Sequence, residues 1–244
     1  GKLFFTVERL MGGFTDCLLF VSDYERQAYR QKVGEPPVPN SLVYNGLRNA
    51  EFEPVGIGAD ATDLLYVGMM RDLKGPDLFL DAMALAERHL GRQLTATMVG
   101  DGEGLPRYQA QAEKLGLAGR VRFLPPMPVR EAFARGRLVV VPSRAEAMPY
   151  IVLETLAAGK PMIATAVGGM PEILGAGSPA LSEPDAAGLA GKIGEALGEL
   201  AAYHGKMPDL AGLKARFGAN VMAAEIEKAY FQALQKSKAI PATP

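Results

Sequence analysis

Cysteine is almost absent from this sequence: Cys17 is the only one among 244 residues. One thiol forms no intramolecular disulfide framework and leaves too few thiolates for a zinc site. In the run Cys17-Leu18-Leu19-Phe20-Val21 it reads as a small buried residue. Long apolar runs are missing too, since none approaches the roughly 18 residues of a membrane span. The N-terminus lacks the basic, apolar and small-residue succession of a signal peptide. Nor does one sign of charge dominate. Lys and Arg number 26 against 27 Asp and Glu, a net charge of −1 with no basic run, which argues against nucleic acid as a partner. The two histidines, His89 and His204, lie in helix-period stretches and read as surface residues rather than ligands. A reducing cytoplasm fits these absences, with peripheral membrane attachment of a longer protein left open. What remains is an ordinary globular composition, 48% hydrophobic and 22% charged, long enough for one large domain or one domain plus part of another.

Short apolar runs alternate with helix-period stretches. Leu64-Leu65-Tyr66-Val67 ends in Gly68, Thr95-Ala96-Thr97-Met98-Val99 in Gly100, and Val121-Arg122-Phe123-Leu124 at Pro125. Leu138-Val139-Val140-Val141 ends at Pro142, and Met162-Ile163-Ala164-Thr165 shortly before Gly168. Continuous runs without strict alternation suit parallel strands covered on both faces. The predicted fold class is therefore α/β, an open, doubly wound parallel sheet of the Rossmann-like kind, with ligands at the carboxyl ends of its strands.

The first 60 residues read differently: a strand at Leu18–Val21, a polar helix at Asp23–Lys32 and a strand at Leu42–Tyr44, too little to enclose a core. From Leu47 to Asp63 the chain reads as a loop-like linker. Ala219–Gln235 reads as a long amphipathic helix with Val221, Ile226, Tyr230, Phe231 and Leu234 on its apolar side.

The segment from Pro142 to Glu154 (Pro-Ser-Arg-Ala-Glu-Ala-Met-Pro-Tyr-Ile-Val-Leu-Glu) carries the most chemistry. A buried strand ends in Pro-Ser, a loop holds Glu146, and a helix starts near Pro149. The N-terminus of that helix offers free N–H groups and a positive dipole end, a ready phosphate site. Glu154 follows about one turn further in, where a carboxylate can accept both hydroxyls of a ribose. The plainer alternative makes Glu146 a solvated loop residue and Glu154 an exposed helix residue. The apolar run around Glu154 strains that alternative, because an unpaired carboxylate there is costly.

Two glutamates with seven residues between them, after Pro-Ser and before Leu-Ala-Ala-Gly-Lys-Pro, resemble the signature of retaining glycosyltransferases of the GT-B fold, the glycogen-synthase-like and mannosyltransferase-like group. Ala164-Thr165-Ala166-Val167-Gly168-Gly169-Met170-Pro171-Glu172 is similar to that group's Gly-Gly-x-Pro-Glu turn. Tyr66-Val67-Gly68 with Lys74-Gly75, Val99-Gly100-Asp101-Gly102, and Asn45-Gly46 resemble its other motifs, in family order. The resemblance implies a nucleotide-sugar donor, UDP- or GDP-linked, as substrate, with no cofactor and no metal. It implies that Glu154 binds the ribose and that Glu146 lies at the reacting centre. Backbone around Met148, Tyr150 and Ile151 would hold sugar and phosphates, Gly68 would line the first loop, and Gly100, Asp101 and Gly102 would make room for the nucleoside.

The sequence departs from the group's pattern in two places. Met69 stands where Arg is common, so Arg71 is the substitute beside Lys74 for neutralising the leaving diphosphate. Pro149 has no N–H, which leaves that work to Tyr150 and Ile151. No Asp-x-Asp pair is present to hold a metal. The Gly100–Gly104 loop lacks the full dinucleotide-binding spacing, so an NAD site is a poor reading. By the resemblance, residues 1–46 are trailing elements of an N-terminal acceptor domain, 47–60 a linker, 61–220 the donor domain, and 221–244 a crossing helix and tail. The expected partners are that acceptor domain in the same protein and an unknown sugar or lipid-linked acceptor, and the chain reads as a fragment inactive alone. A non-catalytic nucleotide-sugar-binding module and a GT-B nucleotide-sugar epimerase are the rivals.

Overall fold

The structure is a computed structural model that describes residues 2–238. Its N-terminal part holds α1 (Lys2–Met11), β1 (Leu18–Phe20), α2 (Asp23–Lys32) and β2 (Asn40–Leu42). The central part runs β3 (Thr62–Val67), α3 (Pro76–Leu90), β4 (Ala96–Val99), α4 (Leu105–Lys114), β5 (Val121–Leu124) and α5 (Val129–Phe133). It continues through β6 (Gly136–Val141), α6 (Tyr150–Ala157), β7 (Met162–Thr165), α7 (Met170–Leu174) and β8 (Leu181–Ser182). Helices α8 (Ala186–Gly198), α9 (Leu200–His204), α10 (Leu210–Phe217) and α11 (Ala219–Lys238) complete the described chain.

Strands β3 to β8 form one six-stranded sheet in the order β5-β4-β3-β6-β7-β8, and every pairing is parallel. Numbered within the sheet this is 3-2-1-4-5-6, the order of dinucleotide-binding α/β sheets. Side chains alternate between its faces. Leu64, Tyr66, Met98, Leu138, Val140 and Ile163 pack with residues of α3, α4 and α8 on one face. Leu65, Val139, Val141, Met162 and Ala164 pack with residues of α5, α6, α7 and α10 on the other. Burial on both faces explains the unbroken apolar runs.

The N-terminal part departs from expectation. The second strand occupies Asn40–Leu42 rather than Leu42–Tyr44, because Leu18 to Phe20 pair in parallel with those more polar residues. Helix α1 was not foreseen; Phe4, Val7 and Leu10 on it are exposed, so no core drives its pattern. The stretch after Leu47 is not wholly irregular: Asn49–Phe52 form a 3-10 turn, with Phe52 buried. Leu47 is pinned to the junction of α10 and α11, its N–H bonding Phe217 and its carbonyl accepting from Ala219, at 2.8 and 2.7 Å. On α11, Ile226, Tyr230, Phe231 and Leu234 are exposed. Cys17, read as a core residue, is only half-buried and lines a groove of about 370 Å³ against that helix.

Leu138 faces Leu64 across the β3–β6 pairing, and both are fully buried. Leu138→Ala is expected to lower stability by about 2–5 kcal/mol. In urea the midpoint should fall with the slope unchanged, and a loss below about 1 kcal/mol would show that the centre of the sheet relaxes around the cavity.

Candidate active site

In an open parallel sheet the cleft forms where neighbouring strands send their connections to opposite faces. Here that point lies between β3 and β6. Their carboxyl ends contribute Tyr66 to Gly68 and Val141 to Ser143 to a cleft of about 400 Å³, completed by Met69, Lys74, Glu146 and the segment Met148 to Ile151.

The Glu146 carboxylate is nearly buried, with a side-chain exposure of 10%, and is held from two sides. Lys74 Nζ donates at 2.6 Å and Ser143 Oγ at 2.7 Å, both to Oε1. Lys74 reaches it from a 3-10 turn, Asp72–Lys74, which the Arg144 N–H ties down by bonding the Leu73 carbonyl at 2.9 Å. The Arg144 guanidinium fixes the same turn, donating to the Asp72 carbonyl at 2.6 Å and to the Asp77 carboxylate at 2.8 and 2.5 Å. Behind Glu146 stands Gly168 in the left-handed region at φ +60°, where a Cβ would lie 1.6 Å from the Glu146 carbonyl oxygen. A side chain at this position would displace the Glu146 loop.

Helix α6 begins at Tyr150 with Pro149 before it and no side chain capping it. The first N–H groups of a helix have no partner within it, so those of Tyr150 and Ile151 are available at the cleft. Met148 is buried, and its carbonyl accepts from Asn45 Nδ2 at 2.8 Å. Glu154 lies one turn inside α6, half-buried. Burial raises its carboxyl above the usual range, and the nearby Glu51 raises it further. Among the described residues no hydrogen bond or ion pair reaches that carboxylate.

The structure thus brings Gly68, Lys74, Glu146, Met148, Tyr150 and Ile151 into one cleft. Gly100 and Asp101 line a neighbouring hollow of about 250 Å³ with Pro126 and Met127, and Gly68 and Met69 border both spaces. Gly102 lines neither; it backs onto the main chain of Met70. Arg71 is exposed and stands over a separate hollow with Glu103, Arg107 and Tyr108. Asp72 pairs there with Arg107 and accepts from the Tyr108 hydroxyl at 2.8 Å. Both histidines are exposed. Among the described residues no group of three or more His, Cys, Asp or Glu could hold a metal ion. Sequence reasoning missed Ser143, Asn45 and Arg144 as supports of the site; Ser143 bonds Glu146 within one loop, while the Asn45 and Arg144 bonds depend on which loops the fold sets side by side.

The strand order and cleft define a Rossmann-like domain with an uncapped helix N-terminus at the edge of its cleft. The profile of the family described as "Glycosyl transferases group 1" matches residues 48–201. The chain belongs to that family, the GT-B glycosyltransferases of group 1. It is 31% identical over 235 residues to a D-inositol 3-phosphate glycosyltransferase of Thermobispora bispora, covering 91% of this chain and 55% of that protein. A D-inositol 3-phosphate glycosyltransferase of Geodermatophilus obscurus is 36% identical over 175 residues, covering 67% of this chain and 39% of its own. The chain therefore spans about half or less of these curated relatives. Two solved structures share the fold. Sucrose-phosphate synthase of Thermosynechococcus elongatus gives a TM-score of 0.82 at 23% identity over 97% of this chain and 63% of its own. Anabaena HepE in complex with UDP-glucose gives 0.82 at 22% identity over 93% of this chain and 67% of its own.

A carboxyl raised by burial has a definite sign in stability. The native state keeps the proton to higher pH than the unfolded chain, so folding is favoured below the unfolded value of about 4.3 and penalised as pH rises through the folded value. Glu154→Gln is thus expected to be more stable than the parent at pH 7, with the gap closing towards pH 4. Urea unfolding across that range measures it. A gap independent of pH would mean that the carboxylate is not desolvated.

Proposed function

We propose that this chain is the donor-binding half of a retaining glycosyltransferase, which holds a nucleotide-sugar by its diphosphate and ribose for transfer to an acceptor. The observation that carries the proposal is the uncapped N-terminus of α6 facing the same cleft as Lys74 and Glu146. Negative charge grows on the leaving diphosphate as its bond to the sugar breaks. Fixed donors and a cation aimed at that charge stabilise the transition state by several kcal/mol. Tyr150 and Ile151 supply the N–H groups and Lys74 the cation, so the charge is met without a metal. Lys74 is now paired with Glu146, and on binding it shares its protons with phosphate oxygen. Glu154, which has no partner among the described residues, accepts the ribose hydroxyls. Glu146 faces the sugar, and the hollow at Gly100 and Asp101 takes the nucleoside.

The UDP-glucose complex of the fold neighbour HepE favours a UDP-linked sugar over a GDP-linked one. Residues 61–220 form the donor domain in this reading, and residues 1–46 trail from an acceptor domain whose remainder supplies the acceptor contacts. By itself the chain binds nucleotide without transferring sugar, because positioning the two reactants is worth about 7–11 kcal/mol of the barrier. A cytoplasmic setting and a role in glycoconjugate or polysaccharide synthesis fit this chemistry.

Calorimetry with UDP, GDP and ADP tests the proposal. Glu154→Ala should weaken UDP binding by about ten-fold or more, because hydrogen bonds to a charged group worth about 1.5–3 kcal/mol each are lost. The 2′,3′-dideoxy analogue should bind the parent and the variant equally weakly. Lys74→Ala should cost more than Arg71→Ala, whose side chain starts outside the cleft. Equal affinity of the parent for UDP and its dideoxy analogue would remove Glu154 from the ribose.

A further inference from the structure

Glu172, the middle residue of the short helix α7, does not line the cleft, and its carboxylate is directed at another part of the chain. Oε2 accepts the N–H of Asp23 and Oε1 the N–H of Tyr24, both at 2.9 Å. The Tyr44 hydroxyl donates to Oε2 at 3.2 Å. Asp23 and Tyr24 are the first two residues of α2, whose leading N–H groups have no partner within the helix. The third, on Glu25, bonds the capping Ser22 hydroxyl at 3.1 Å, and the Glu25 carboxylate returns to the Val21 N–H at 2.9 Å. A residue some 150 positions away thus completes the cap of α2, with negative charge placed where the helix dipole favours it.

The contact continues to the cleft. Ser22 is fully buried. Gly169 lies between it and the Glu146 loop: a Cβ there would stand 3.1 Å from Ser22 Cβ and 2.1 Å from the Ala147 carbonyl oxygen. Next to it, Gly168 abuts the Glu146 carbonyl. Asn45, one residue after Tyr44, bonds the Met148 carbonyl. The path from the α2 N-terminus to the loop bearing Glu146 thus runs through hydrogen bonds and through close approaches at Gly168 and Gly169.

We infer that Glu172 is a positioning residue: it clamps the N-terminus of α2 and Tyr44 onto the Gly168-Gly169 turn and so fixes the loop that presents Glu146. The catalytic half of this inference rests on the proposed transfer reaction; the clamp itself does not. A larger effect on kcat than on donor affinity is expected, because Glu172 itself touches neither Lys74 nor the α6 N-terminus.

The test uses the full-length protein, reading amide hydrogen exchange at Asp23 and Tyr24 and the steady-state release of UDP from UDP-glucose with water taking the glucosyl group. Glu172→Gln keeps the shape but turns an amide donor towards one of the two N–H groups. It should speed exchange at those amides by about ten-fold or more while the sheet stays protected. It should also lower kcat roughly ten- to hundred-fold with KM for the donor within about two-fold. Glu172→Asp, which keeps the charge, should recover part of both. Should Glu172→Gln fail to fold, Tyr44→Phe, which removes one hydrogen bond, must move both readings in the same direction by less. Unchanged exchange would overturn the clamp, and faster exchange with unchanged kcat would overturn its bearing on Glu146. A parent that releases no UDP would refute the proposed UDP-linked donor, while the exchange result would still decide the clamp.

Discussion

The parallel pairing of β3 with β6 is the constraint on which the rest of this molecule depends. Thr62, Leu64 and Leu65 stand opposite Gly136, Leu138 and Val139. From these two central strands the chain leaves towards opposite faces: β3 is followed by α3 on one face, β6 by α6 on the other. Because α3 and α6 diverge, a gap is left between the carboxyl ends of the two strands, and the cleft lies there. Apolar burial on both faces fixes the strands, and the strands fix where two polar loops must meet. Burying one Leu side chain is worth about 1.5–3 kcal/mol, so the many buried residues that hold the strands outweigh any single polar contact in the cleft.

Within the cleft, polar groups are held by their own supports. Glu146 is a nearly buried carboxylate, tolerable because Lys74 and Ser143 both reach it. Arg144 braces the turn that carries Lys74, so the two loops of the cleft are stitched by the residue between Ser143 and Ala145. Glu154 is the contrasting case. Its carboxyl is desolvated and has no partner among the described residues, an arrangement that lowers stability in the free protein and leaves its acceptors available to a ligand. A helix that starts without a cap has the same character at its N–H groups.

Much of the sheet was legible in the sequence, because strands buried on both faces are written as continuous apolar runs. Val121–Leu124 and Met162–Thr165 coincide with the expected strands, and Asp23–Lys32 with the expected helix. Asn40–Leu42 escaped, since a strand of a two-stranded sheet held by main-chain bonds need not be apolar. Helix α1 escaped although Phe4, Val7, Leu10 and Met11 recur at helical spacing; their side faces outward rather than into a core. In the site, Glu146 and Glu154 stood out by their spacing and surroundings, but their roles came from family resemblance. Arg71 shows the limit of that route. Two residues' displacement along a loop says nothing of direction, and the side chain stands over the Arg107 hollow rather than the cleft. The tie between Glu172 and α2 joins residues about 150 positions apart, which no local pattern encodes.

Every role proposed for the β3–β6 cleft requires that it take a nucleotide-sugar with the α6 N-terminus at its edge. A crystal structure of the protein with UDP tests it most directly. The account predicts diphosphate oxygens within hydrogen-bonding distance of the N–H groups of Tyr150 and Ile151 and of Lys74 Nζ, with the ribose hydroxyls on Glu154. Nucleotide bound with its phosphates over the Arg71–Arg107 hollow, and the α6 N-terminus left to solvent, would contradict it.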